Sequence, residues 1–121
     1  MLVAFSVAPS GVGPETPAGP AAADASVHDA VAAAVRIVRE SGLPNRTDAM
    51  FTTLEGEWDE VMEVIRRATE AVGRYGSRVS LVLKADIRPG HTGELVGKVE
   101  RLEAALERSP GTDSGSGSPL S

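Results

Sequence analysis

Apolar and polar positions alternate from the first residues of the chain. Val3, Phe5 and Val7 fall on one face and Ala4, Ser6 and Ala8 on the other, which predicts a half-buried strand over residues 2–8, ended by Pro9. Residues 9–25 are rich in Pro, Gly and Ala and almost empty of large apolar groups, so they are expected to form a long connection without an anchor to the core. Val27, Val31, Ala34, Val35 and Val38 then recur at helical spacing, predicting a helix over about 27–41. Ser26 followed by Asp29 reads as its opening cap, and Gly42-Leu43 as its close.

Pro44-Asn45 leads into an extended stretch from Arg46 to Ala49, a turn near Met50 and a strand running to Glu55. Over 57–74, Trp58, Val61, Ile65, Ala68 and Val72 make one helical stripe with Met62 beside it. Glu57, Asp59, Glu60 and Glu63 lead that helix while Arg66, Arg67 and Arg74 trail, matching its dipole at both ends. The longest alternation, 78–88, sets Val79, Leu81, Leu83, Ala85 and Ile87 against a mixed face with Ser80, Val82 and Lys84. After Pro89-Gly90 a last helix over about 93–108 carries the narrow seam Leu95, Val99, Leu102 and Leu106. Residues 110–121 are rich in Gly, Ser and Pro with no means of packing, a disordered tail by composition.

The order β-α-β-β-α-β plus a C-terminal helix predicts an α+β, ferredoxin-like split βαβ domain spanning 1–109, with an antiparallel sheet and helices on one face. Such a sheet leaves its second face open. That face would carry Ser6, Phe51, Thr53, Glu55, Ser80, Val82 and Lys84, too mixed for a core and too apolar for a plain solvent face. It is expected to be covered by another subunit, with a pocket where its polar groups converge.

Composition narrows the classes. The net charge of -5 over 121 residues argues against a surface that grips nucleic acid. No apolar run approaches the ~20 residues that span a bilayer, so no membrane partner is expected and a cytoplasmic location is. With no cysteine, thiolate metal sites, disulfides and a cysteine nucleophile are excluded. His28 and His91 lie far apart in the pattern, without ligand spacing, and no catalytic or phosphate-binding motif is present. No metal, cofactor or catalytic residue is therefore assigned.

Most of the acids at 55–60 complement a helix dipole, but Glu55 precedes Gly56 at the end of a strand and has no such role. Trp58 belongs to the core stripe by spacing; the second reading is that its ring edge also walls a pocket. Lys84 either guards an edge strand or faces Glu55 or a ligand. The candidate ligand-binding set is thus Ser6, Phe51, Thr53, Glu55, Trp58, Ser80 and Lys84.

Five stretches carry a resemblance: Phe5-Ser6-Val7-Ala8-Pro9, Ser41-Gly42-Leu43, the run from Met50 through Glu55-Gly56-Glu57-Trp58-Asp59-Glu60-Val61, Arg78-Val79-Ser80, and Lys84-Ala85-Asp86-Ile87-Arg88. Together, over about residues 2–107, they resemble the small thiamine-binding proteins related to the YkoF type. The resemblance implies a ferredoxin-like fold, dimers that pair into tetramers, and a non-enzymatic site for thiamine or its aminopyrimidine part at the sheet face or a subunit interface. Glu55 would then face the thiazolium charge, Phe51 or Trp58 its ring, and Ser6, Thr53 and Ser80 the pyrimidine. Two departures stand out: the connection from Ser10 to Ala25 is longer than the family's, and Asp48 replaces an expected neutral amide. The competing classes are a ligand-free assembly module and a small ferredoxin-like enzyme.

Overall fold

The computed structural model describes residues 1–16 and 22–108, without the side chains of 22–26 and Lys98. The elements are β1 (Leu2–Ser10), α1 (Ala22–Glu40), β2 (Asn45–Thr47), β3 (Thr52–Glu55), α2 (Trp58–Val72), a 3-10 turn (Gly73–Tyr75), β4 (Arg78–Asp86) and α3 (Glu94–Arg108). The sheet order is β2-β3-β1-β4 with every neighbouring pair antiparallel, the arrangement of a ferredoxin-like split βαβ. Cross-strand partners share a face. The register Val3↔Leu54, Phe5↔Leu83 and Val7↔Leu81 therefore defines the helix side. Ala4↔Thr53, Ser6↔Val82, Ala8↔Ser80, Ala4↔Lys84 and Leu2↔Glu55 define the opposite one.

The core is a single layer between the sheet and the helix pair. Val3, Phe5, Val7 and Leu54 meet Ala30, Ala34 and Val38 of α1 and the stripe Val61, Val64, Ile65, Ala68 and Val72 of α2. Gly42, with φ at 80°, closes α1 in the left-handed conformation expected of it. The opening of α2 is fixed locally, with Glu60 Oε1 accepting from the Glu57 amide at 3.1 Å.

Several expectations change. Trp58 is 54% exposed and is not part of the core. As the first residue of α2 it precedes the turn that reaches the sheet, and the buried stripe begins at Val61. The hairpin strand ends at Thr47 and the turn occupies 48–51, while β4 stops at Asp86. Helix α1 begins at Ala22, so Ser26 lies inside it.

The connection after β1 also differs from its expectation. β1 runs to Ser10, and residues 11–16 are held to the turn after α2 by polar contacts with no hydrophobic signature. The Glu15 amide donates to Arg74 O at 2.7 Å, Thr16 Oγ1 to Tyr75 O at 2.9 Å, and the Ser77 amide to Ser10 O at 2.9 Å. Arg74 Nη2 and Glu15 Oε1 add an ion pair at 2.8 Å. The remainder of that connection, 17–21, and the tail 110–121 lie outside the described residues.

Candidate functional site

Alternation along β1, β3 and β4 groups Ser6, Thr53, Glu55, Ser80 and Lys84 on the face away from α1 and α2, as the sequence predicts. Proximity is another matter, because the seven candidate residues divide among separate places. Thr53 and Lys84 border a shallow depression with Leu2, Ala4, Ala85 and Asp86. Ser80 is exposed on β4. Trp58 lies at a surface hollow with Met1, Glu57, Arg88 and His91. Ser6 and Phe51 line a cleft at the opposite end of β3 from Glu55.

Glu55 has a structural task that its sequence context does not announce. It is 6% exposed, and its carboxylate receives the first amides of α3: Glu94 N donates to Oε2 at 2.8 Å and Leu95 N to Oε1 at 3.2 Å. These are two of the donors that a helix leaves without partners, and a negative charge there also meets the positive end of the dipole. The carboxylate thus serves as a helix cap supplied from a distant strand. Glu94, itself buried, is gripped by Arg101 Nη2 at 2.7 Å and Arg88 Nη1 at 3.2 Å. The Arg101 hydrogen bond, with the charges of Arg101, Arg88 and His91, holds the Glu94 carboxyl below the usual range against its burial. A lowered carboxyl stabilises the fold above its unfolded value of about 4.3, and that contribution is lost as pH falls through the folded value. Docking of α3 is therefore expected to loosen on acidification.

Glu55→Ala is expected to cost about 0.5–2 kcal/mol, the usual worth of a helix cap. Glu55→Gln should cost less, since one carbonyl oxygen can still accept from either amide. Circular dichroism and urea melts check both; equal stability of all three proteins would remove the capping role.

A cleft beside the turn after β2 combines apolar walls with a polar mouth. Phe5 to Ala8 of β1 form its floor, Val27 and Val31 of α1 one wall, and the turn from Thr47 to Thr52 the other, enclosing about 240 Å³. Val27, Val31, Met50 and Phe51 are apolar yet exposed there. Asp48 organises the turn: its Oδ1 accepts from the Phe51 amide at 3.2 Å and the Met50 amide at 3.3 Å, while its own amide donates to Phe51 O at 3.0 Å. The Phe51 and Met50 hydrogen bonds, helped by the Arg46 charge, hold the Asp48 carboxyl below its ordinary value. Thr47 and Thr52 face each other across the base of the turn, their hydroxyls 3.1 Å apart. The cleft thus offers an aromatic ring, aliphatic walls and a persistently ionised carboxylate.

Asp48 and the exposed pair Val27 and Val31 were not among the candidate residues. An aspartate followed two and three residues later by bare amides is a turn signal that marks Asp48 in the sequence. No cluster of three or more potential metal ligands exists among the described residues, nor is any helix there long and apolar enough to cross a membrane.

Comparison with known proteins adds a second line. A UPF0045 protein of Mycobacterium bovis is 50% identical over 109 residues, covering 89% of this chain and 96% of its own. A UPF0045 protein of Synechocystis is 31% identical over 110 residues, covering 90% and 82%. A crystal structure from Methanocaldococcus jannascii superimposes with a TM-score of 0.68 at 27% identity, over 84% of this chain and 94% of that one. The model of the thiamine-binding protein family matches residues 3–103, and with these relatives it shows that the chain belongs to that family.

Proposed function

We propose that the protein binds thiamine, or its aminopyrimidine part, without chemical turnover, and that the ligand enters the cleft between β1, α1 and the turn at 48–51. The observation that carries this reading is the pairing of Phe51 with the ionised Asp48 at the mouth of an apolar cleft. A ring bearing a fixed positive charge is attracted both to an aromatic face and to a carboxylate. The volume of about 240 Å³ lies below the ~300–1,000 Å³ of pockets that enclose drug-sized ligands. It therefore suits one ring of thiamine, with the rest of the molecule at the mouth beside Asp48 and Met50. The family's name as a thiamine-binding protein supports the ligand class. Glu55, Trp58, Ser80 and Lys84 have no part in this cleft.

Thermal unfolding with increasing thiamine tests the proposal. Ligand at about 100 times its dissociation constant would stabilise the fold by about 2.7 kcal/mol. Phe51→Ala should abolish most of that shift, and Asp48→Asn should weaken binding by up to about fivefold, the worth of one exposed ion pair. Because the Asp48 carboxyl is lowered in the folded protein, its contribution to affinity should persist through the ordinary aspartate value of about 3.9 and be lost only as pH falls through the lower folded value. No shift at millimolar thiamine, or a shift untouched by Phe51→Ala, would defeat the assignment. Glu55→Gln serves as the control that changes stability and leaves the ligand shift in place.

A further inference from the structure

Two hydroxyls at the base of the turn share one hydrogen bond and leave one proton over. Thr52 stands on β3 between Phe5 of β1 and Thr47 of β2, so the three side chains share the helix side of the sheet. Phe5, Thr47 and Thr52 all line the cleft there. The hydroxyls of Thr47 and Thr52 are 3.1 Å apart and have no other partner among the described residues. Each carries one proton and can also accept. One of the two protons lies between them; the other is unused.

Burial decides which hydroxyl keeps it. Thr52 is 8% exposed, whereas Thr47 is open at the cleft. An unused donor on Thr52 would be buried without a partner, a cost that Thr47 does not incur beside water. Thr52 therefore donates to Thr47, and the proton left to offer belongs to Thr47. A ligand that covers Thr47 must bring an acceptor or leave that proton unpaired. The other polar side chains at the cleft do not compete for this role. Ser6 belongs to the opposite face by its register with Val82, and Asp48 is an acceptor whose Oδ1 already receives two amides.

We propose that Thr47 selects the ring that enters the cleft: its hydroxyl, oriented by the buried Thr52, donates to an unprotonated ring nitrogen of the ligand. This rests on the reading of the cleft as a thiamine site and assigns which of the two rings it takes. The aminopyrimidine has two ring nitrogens with available lone pairs. The thiazolium has none, because its nitrogen is alkylated and its sulfur is a poor acceptor. The pyrimidine is thus held at Thr47, and the fixed charge stays at the mouth with Asp48 and Phe51. A site built around a hydrogen bond rejects a ligand lacking the matching atom more strongly than an apolar wall does, because its own buried group is then unpaired. Thr52 acts only through Thr47 and is a positioning residue.

Calorimetric titration of the full chain tests this with thiamine and two analogues, each having one pyrimidine ring nitrogen replaced by C–H. The wild type should bind one of the analogues about five- to tenfold more weakly than thiamine, the worth of one neutral hydrogen bond. Thr47→Val, which keeps the shape, should weaken thiamine by the same factor and no longer distinguish that analogue. Thr47→Ser should restore the preference. Thr52→Val should leave thiamine bound but narrow the preference to about twofold, which a purely structural effect on the hairpin would not do. An N-methylated thiazolium, with no acceptor nitrogen, should bind wild type and Thr47→Val equally. Equal affinity for thiamine and both analogues, or a preference untouched by Thr47→Val, overturns the proposal; if Phe51→Ala still abolishes binding, the cleft assignment survives it. Absence of any thiamine binding to the wild type overturns both.

Discussion

Leu54→Ala is expected to lower the unfolding free energy by about 2–5 kcal/mol, the range for truncating a large buried aliphatic side chain. Leu54 has no solvent exposure and lies on β3, one of the two central strands, opposite Val3 on one side and Asn45 on the other. Its side chain belongs to the cluster in which sheet, α1 and α2 meet. With one apolar layer and a short β3, the surrounding backbone has little freedom to collapse into the vacancy, which favours the upper half of that range. β3 also begins at Thr52 beside the cleft and ends at Glu55 beneath α3, so the substitution should weaken thiamine binding and helix content together. Urea denaturation measures the first effect directly. A loss below about 1 kcal/mol would mean that the strand is not the keystone of the core.

Gly76→Ala ranks second, at about 1–3 kcal/mol, because an added methyl has nowhere to go. A Cβ there would lie 2.5 Å from Ser10 O and 2.9 Å from Ser10 N, backbone atoms that cannot rotate away. Its φ of -162° is extended, so the demand for glycine is one of space and not of conformation. Gly13 meets the same limit from the other side, its Cβ position 2.5 Å from Gly76 N. Thermal melts of Gly76→Ala, Gly13→Ala and the double variant should show less than additive losses, since both changes disturb the packing of residues 9–13 against 74–76. Full additivity would place the two glycines in separate contacts.

The fold was legible because its signals are periodic. Alternation in β1 and β4 and the stripe from Val61 to Val72 define which side of each element is buried, and element order then leaves few topologies. The misreadings came from places where period and burial part company. Trp58 fits the stripe by spacing but stands at the first turn of α2, ahead of the part that reaches the sheet. Leu81 and Leu83 continue an inward alternation at the middle of β4, which the helices leave open while Val79 and Ala85 on either side pack against the core. Residues 11–16 are fastened through backbone amides, a threonine hydroxyl and the approach of two glycines, none of which hydropathy records.

The candidate site was only partly legible for a related reason. Strand parity correctly gathered Ser6, Thr53, Glu55, Ser80 and Lys84 on one face, yet a shared face extends over a whole sheet and does not make a pocket. Glu55 stood out as unexplained by its neighbours in sequence, and its partners proved to be amides almost forty positions away. In the sequence Asp48 stands out only as a departure from a family pattern. Its function in the turn depends on amides two and three residues on, a local geometry that no hydrophobic count reveals.

The manner in which α3 is fastened has a kinetic consequence. Of its seam, Val99, Leu102 and Leu106 are exposed, as is the neighbouring Val96, and its ties to the sheet are concentrated at its first turn, on Glu55. A helix held by one end opens as a unit of its own, with a free energy well below that of the domain. Amide exchange in α3 should then be much faster than in β1 and α2 and share one opening rate along its length. The chain would carry, beyond its last strand, a segment that exchanges with solvent on its own clock while the core remains closed.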